Sequence, residues 1–151
     1  MEVQGFGIRA VLPAGWYGRI YTNTDGEDAT RSGTVQLATV PIPDSDDDAG
    51  TATRQLMGPT DVLIMLFESP YRPWFDAQFA PVGAPLTIRP ADAQAGWEGV
   101  DSSQSVFVRR VKVNDRYFQL RVVFGSQPSV PQFAKLNGLL ARVTIGAPVA
   151  A

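Results

Sequence analysis

The sequence predicts an α+β fold: a single mostly antiparallel sheet of about six or seven strands, a C-terminal helix on one face and short helices flanking it. Three stretches carry that expectation. Residues 105–125, SVFVRRVKVNDRYFQLRVVFG, alternate apolar and polar side chains on either side of Asn114-Asp115. Residues 61–68, DVLIMLFE, are apolar at every position between two acids, as a central strand buried on both faces requires. From Ser129 onward, Phe133, Leu136, Leu140 and Val143 recur at helical spacing.

In chain order, residues 6–12 read as a first strand, with Ile8, Ala10 and Leu12 on one side. Pro13-Ala14-Gly15 turns the chain, because proline fixes φ and glycine permits positive φ. Residues 16–21 form the second strand, with Trp16, Gly18 and Ile20 facing one way. A polar loop with Asp25-Gly26 follows, then a third strand over 34–40, ended by Pro41 and Pro43. An acidic, small-residued stretch leads to a short helix near 51–57, stopped by Gly58-Pro59. After the apolar central strand comes SPYRPWFDAQFAP, where proline breaks regularity and 75–79 allows one helical turn. A short strand is expected at 86–89, then loop or weak helix over 90–103 with Trp97 as its anchor.

The hairpin at 105–125 is the organising element. Asn and Asp tolerate positive φ, as a two-residue hairpin turn demands. That turn sets Val113 opposite Arg116, Val111 opposite Phe118, Arg109 opposite Leu120 and Phe107 opposite Val122. With Phe124 these make an apolar face aimed at the core. The other face carries Val106, Val108, Arg110, Lys112, Tyr117, Gln119, Arg121 and Val123: basic near the turn, apolar away from it. Arg109 is the misfit on the inner face. It reaches water at the sheet's end, pairs with a carboxylate such as Glu68, Glu98 or Asp101, or serves as a binding-site cation.

Ser129 and Gln132 make a capping box for the last helix, with Pro131 tolerated in its first turn. Gly138 inside it either costs up to about 1 kcal/mol against Ala or allows close approach to the sheet. Residues 142–145 leave as a final short strand. With no repeat or linker, the 151 residues read as one domain.

Composition removes several function classes. The chain has no cysteine and no histidine, which excludes disulfides, thiolate nucleophiles, Ser-His-Asp catalysis and nearly all zinc chemistry. A net charge of −2 argues against general nucleic-acid binding. No apolar run approaches the roughly 20 residues of a membrane span, and no export signal is visible at the N-terminus, so the expected location is cytoplasmic.

The remaining motifs are weak. Gly5-Phe6-Gly7 with Ala10 mimics a dinucleotide fingerprint but lacks the preceding strand and following helix. Asp44, Asp46 and Asp48 have the spacing that begins a calcium loop, but Ala49 and Gln55 stand where that loop needs Gly and Glu. Asp61 and Glu68 lie roughly 23 Å apart along an extended strand, too far to act as one catalytic pair; Glu68 with Asp76 or Asp101 stays conceivable. The expectation is no cofactor and no metal. Two candidate sites stand out. Arg109, Arg110, Lys112 and Arg121 offer a cationic patch for an anionic ligand. Tyr71, Trp74, Phe75 and Phe79, set among prolines, offer anchors for a protein partner or a second copy, or else close one end of the core.

The Pro13-Gly15-Trp16 turn, the apolar central strand, the second hairpin strand RYFQLRVVFG and the terminal LNGLLARVTI together resemble the PsbP/Mog1-like α+β domains, and small bacterial proteins of that general shape. The resemblance implies an antiparallel sheet flanked by helices, and a non-enzymatic accessory role through a protein partner. It carries no site residue onto this chain.

Overall fold

The computed structural model describes residues 1–22, 32–69, 74–81, 85–95 and 102–147. Among them run β1 (Glu2–Gly5), β2 (Ile8–Val11), β3 (Tyr17–Tyr21), β4 (Thr34–Ala38), α1 (Thr51–Leu56), β5 (Val62–Ser69), α2 (Phe75–Gln78), β6 (Ala80–Pro81), β7 (Ser105–Val113), β8 (Arg116–Phe124), α3 (Val130–Leu140) and β9 (Val143–Ile145), with a 3-10 turn at Pro90–Asp92. The fold is α+β. A six-stranded sheet has the order β3-β4-β5-β8-β7-β6, and a three-stranded sheet the order β1-β2-β9.

The hairpin forms in the expected register. Asn114 and Asp115 adopt φ of 50° and 61°, and Val113, Val111, Arg109 and Phe107 pair with Arg116, Phe118, Leu120 and Val122. The two positive φ values match the right-handed twist of the strands they join. Phe107, Val111, Phe118, Leu120, Val122 and Phe124 enter the main core. The rings of Phe107 and Phe124 meet edge-on at 5.6 Å, and Phe133 of α3 stands 5.2 Å from Phe107, also edge-on. This aromatic cluster seats α3 on the hairpin, a geometry that adds to simple area burial. Ser129 caps α3 as its sequence foretells, its hydroxyl accepting from the Gln132 amide while the Gln132 side chain accepts from the Ser129 amide.

The central strand β5 lies between β4 and β8, and its residues from Val62 to Met65 and Leu66 are buried from both sides. Its second face, with Ala38, Val106 and Val123, forms a smaller core over which Ile42 and Met57 pack. Val108 and Phe67 sit at the margin of that cluster.

The expectation of one sheet needs correction at the N-terminus. Residues 6–12 are not a lone strand joined to the main sheet. Phe6 and Gly7 take φ of 52° and 72°, so residues 2–11 fold back as the hairpin β1–β2. One edge of β2 then pairs with β1 and the other with β9, leaving none for the main sheet. Of the would-be dinucleotide fingerprint's glycines, Gly5 therefore ends β1 and Gly7 sits in the hairpin turn. A second correction concerns residues 86–89, which form no strand. Leu86 and Ile88 are core residues, but the Ile88 amide donates to the Asn137 side chain and the Ile88 carbonyl accepts from it, at 2.9 and 3.1 Å. A helix side chain thus supplies the bonds that a neighbouring strand would have given. Gly138 has open space where a Cβ would stand, so it serves no close approach to the sheet.

Candidate functional site

One end of the six-stranded sheet gathers the start of β3, the end of β4, the start of β5 and the end of β8. There α3 overhangs a groove of about 500 Å³ lined by Trp16, Thr39, Pro59, Thr60, Val62, Ser126, Gln132, Lys135 and Leu136. Val62 and Leu136 are buried and supply an apolar floor. Trp16 packs half-buried against the core. Thr39, Thr60, Ser126, Gln132 and Lys135 bring polar groups to the apolar body of the groove. That volume, and that mixture, fall in the range of small-molecule pockets.

The far wall is fixed by hydrogen bonds around Asp61. Its carboxylate accepts from the Thr39 hydroxyl at 2.8 Å and from the Gly58 amide at 2.7 Å. Thr39 Oγ1 in turn accepts from the Val62 amide at 2.9 Å. The Ser126 hydroxyl donates to the Pro59 carbonyl at 2.7 Å, and the Gly125 amide donates to the Asp61 carbonyl at 2.9 Å. A Cβ on Gly125 would stand 1.8 Å from the Gly58 carbonyl oxygen. The wall therefore sits where only glycine lets it, with little freedom to collapse into the groove. Sequence reasoning missed this site. Its parts were visible separately, as the Pro13–Gly15 turn, the Gly58-Pro59 stop and the Ser129 cap; their convergence follows from strand order, which local pattern does not give.

The four cations of the expected patch are dispersed. Arg109 donates to the Thr87 carbonyl and hydroxyl at 2.7 and 3.1 Å, and its Nε lies 3.9 Å from Asp92. Its carboxylate is thus Asp92; Glu68 is engaged elsewhere, and Glu98 and Asp101 lie outside the described residues. Lys112 reaches Asp76 at 3.4 Å and stands 5.3 Å over the Tyr117 ring, so its charge is locally compensated. Arg121 lies over Phe67 at 5.0 Å and donates to Gln119 at 3.0 Å. Burial, and secondarily the neighbouring Arg54, pull its pKa down to about 10. Of the four, only Arg110 is exposed.

The expected aromatic patch is also divided. Phe79 is buried and meets Tyr117 edge-on at 5.6 Å, so it closes the fold instead of facing a partner. Trp74 is 58% exposed. Tyr71 and the side chain of Phe75 lie outside the described residues, as does Trp97. Asp76, on α2, accepts from the Tyr117 hydroxyl at 2.7 Å, which docks α2 over the hairpin.

The acidic stretch is structural. Asp46 accepts from the Ala52 and Thr53 amides at the start of α1, and Asp47 accepts from the Thr51 amide and hydroxyl. These bonds hold the Asp47 carboxyl below the usual range, the Thr51 hydroxyl contributing most. Asp48 accepts from the Tyr21 hydroxyl; burial first, then Asp48, raises the Tyr21 pKa. Arg19 binds the whole stretch to the sheet through the Asp44 and Asp46 carbonyls, at 2.9 Å each, and Gln36 at 2.7 Å. Among the described residues no three acidic side chains group so as to hold a metal ion. No helix among them is long and apolar enough to cross a membrane. Comparison with family models, with curated proteins and with solved structures finds no match, so the chemistry of the groove rests on its geometry alone.

Proposed function

We propose that this protein is a non-enzymatic binding domain whose ligand is a small molecule with an apolar body and an acidic group, held in the groove between α3 and the Pro59 wall. The single observation that carries the reading is the groove itself: about 500 Å³, with an apolar floor at Val62 and Leu136 and Lys135 among its lining residues. Lys135 is exposed and makes no ion pair among the described residues, so its ammonium is available to an incoming anion. Burying the ligand's apolar part against Trp16 and Leu136 supplies affinity, and the cation supplies orientation. The test is fluorescence of anilinonaphthalene sulfonate, an apolar anion, with octanoate as competitor. Native protein is expected to bind the dye saturably and release it to octanoate. Lys135→Glu should melt normally and weaken both events about tenfold. Absence of dye binding, or equal binding by Lys135→Glu, contradicts the reading.

A protein partner is a second reading, favoured by the exposure of Trp74, since large exposed aromatics anchor interfaces. Light scattering of native chain against Trp74→Ala tests whether it joins copies of this chain: a dimer that dissociates in the variant supports it, and a monomer in both removes self-association.

A further inference from the structure

On the opposite face of the hairpin from α3 lies a second, smaller hollow of about 320 Å³, lined by Gln78, Gln94, Val108, Arg110 and Gln119. Its lining is polar where the groove under α3 is mostly apolar. β6 and Ala93 both lie along the outer edge of β7, which explains how these residues meet. β6 pairs with Val111 and Lys112, and Ala93 bridges to Phe107 further along the same strand. The Gln94 amide donates to the Val106 carbonyl at 2.8 Å. Gln78, just before β6, and Gln94, just after that bridge, therefore bracket Val108 and Arg110 from the edge. Gln119 closes the hollow from the other strand, directly across from Arg110.

The donors are arranged for one kind of guest. Gln119 Oε1 accepts from Arg121 at 3.0 Å, which occupies its acceptor and leaves its amide N–H groups to donate. The Arg110 guanidinium has no hydrogen bond or ion pair to a described residue, and neither side-chain amide of Gln78 or Gln94 is engaged by one. Among the described residues no carboxylate lines the hollow; the nearby Asp76 is taken up by Lys112 and Tyr117. A planar guanidinium with amide donors around it, beside a second arginine, matches the oxygens of an anion.

The geometry points to an oxyanion-binding site in this hollow, in which Arg110 makes the ion pair with a carboxylate- or phosphate-bearing small molecule and Gln78, Gln94 and Gln119 donate hydrogen bonds to it. It is separate from the groove under α3, with no lining residue in common.

Calorimetric titration of the native protein with inorganic phosphate and, separately, with succinate, both at matched ionic strength, tests it. Saturable binding of either is expected, and which of the two binds identifies the oxyanion chemistry. Arg110→Ala, at an exposed position, should fold normally and weaken binding about tenfold or more, the value of losing one charge-assisted bond. Gln119→Glu places a like charge against the guest and should abolish it, while Lys135→Glu in the other groove should leave it unchanged. No saturable binding of either anion by the native protein, or the same affinity in Arg110→Ala, overturns the assignment.

Discussion

Arg116 keeps only 2% of its side chain exposed, facing Glu68 at 8%. Two of its nitrogens meet the two carboxylate oxygens at 2.7 Å each, and one of them also donates to the Phe6 carbonyl at 2.6 Å. Glu68 accepts in addition from the Gly33 amide at 3.0 Å. The pair therefore ties β8 and β5 of the large sheet to the β1–β2 turn of the small one. A buried pair of this kind adds little over an apolar replacement, but removing one partner strands the other charge away from water. Arg116→Met should lower unfolding free energy by about 3–5 kcal/mol, read from the urea midpoint, and Arg116→Met with Glu68→Leu should recover part of that loss. An unchanged midpoint in the single variant would mean the pair is solvated. The position of Arg116 opposite Val113 was readable from the hairpin pattern; its burial was not. That depends on the β1–β2 turn arriving above it from more than a hundred residues away in sequence. Arg109 shows the same limit. A carboxylate partner was one of three fates its position allowed, since a lone guanidinium is costly to bury; the partner is Asp92, which reaches it through a 3-10 turn whose placement no periodicity announces.

Helix α3 was legible almost to its ends, because its cap and its apolar stripe are local signals. Leu136, Leu139 and Leu140 are its buried residues, and the stripe passes into β9 at Val143. What local reading could not resolve was Gly138. The open space around it decides the matter: Gly138→Ala meets no atom and gains helix propensity, so it should stabilise the protein by up to about 1 kcal/mol, seen as a higher melting temperature. A destabilised variant would show that the backbone at 138 is not ordinary helix. The segment at 86–89 teaches the converse. Its alternation, with Leu86 and Ile88 inward, is that of a strand; but Asn137 of α3 bonds the Ile88 peptide, so no ladder forms. Burial pattern reports which side chains face the core. It does not report who satisfies the backbone.

The molecule as a whole is a six-stranded sheet with α3 and the three-stranded sheet on one face and α1 with its acidic lead on part of the other. Its main sheet and terminal helix followed from alternation and helical spacing. The second sheet did not, since it hangs on two positive-φ residues, one of them a phenylalanine. The candidate site was the least legible part, because a groove belongs to the way four strand ends and one helix converge. Cations and aromatics drew attention in the sequence, yet among the described residues Arg109, Lys112, Arg121 and Phe79 are engaged within the fold. The central claim is that the space beside Lys135 and Leu136 accepts a small apolar acid. Amide chemical shifts recorded while octanoate is added test it most directly. Saturable changes are expected, concentrated at Trp16, Val62, Ser126, Lys135 and Leu136, with the amides of β7 unmoved; shifts that spread evenly over the surface, or none at all, would rule out a ligand in this groove.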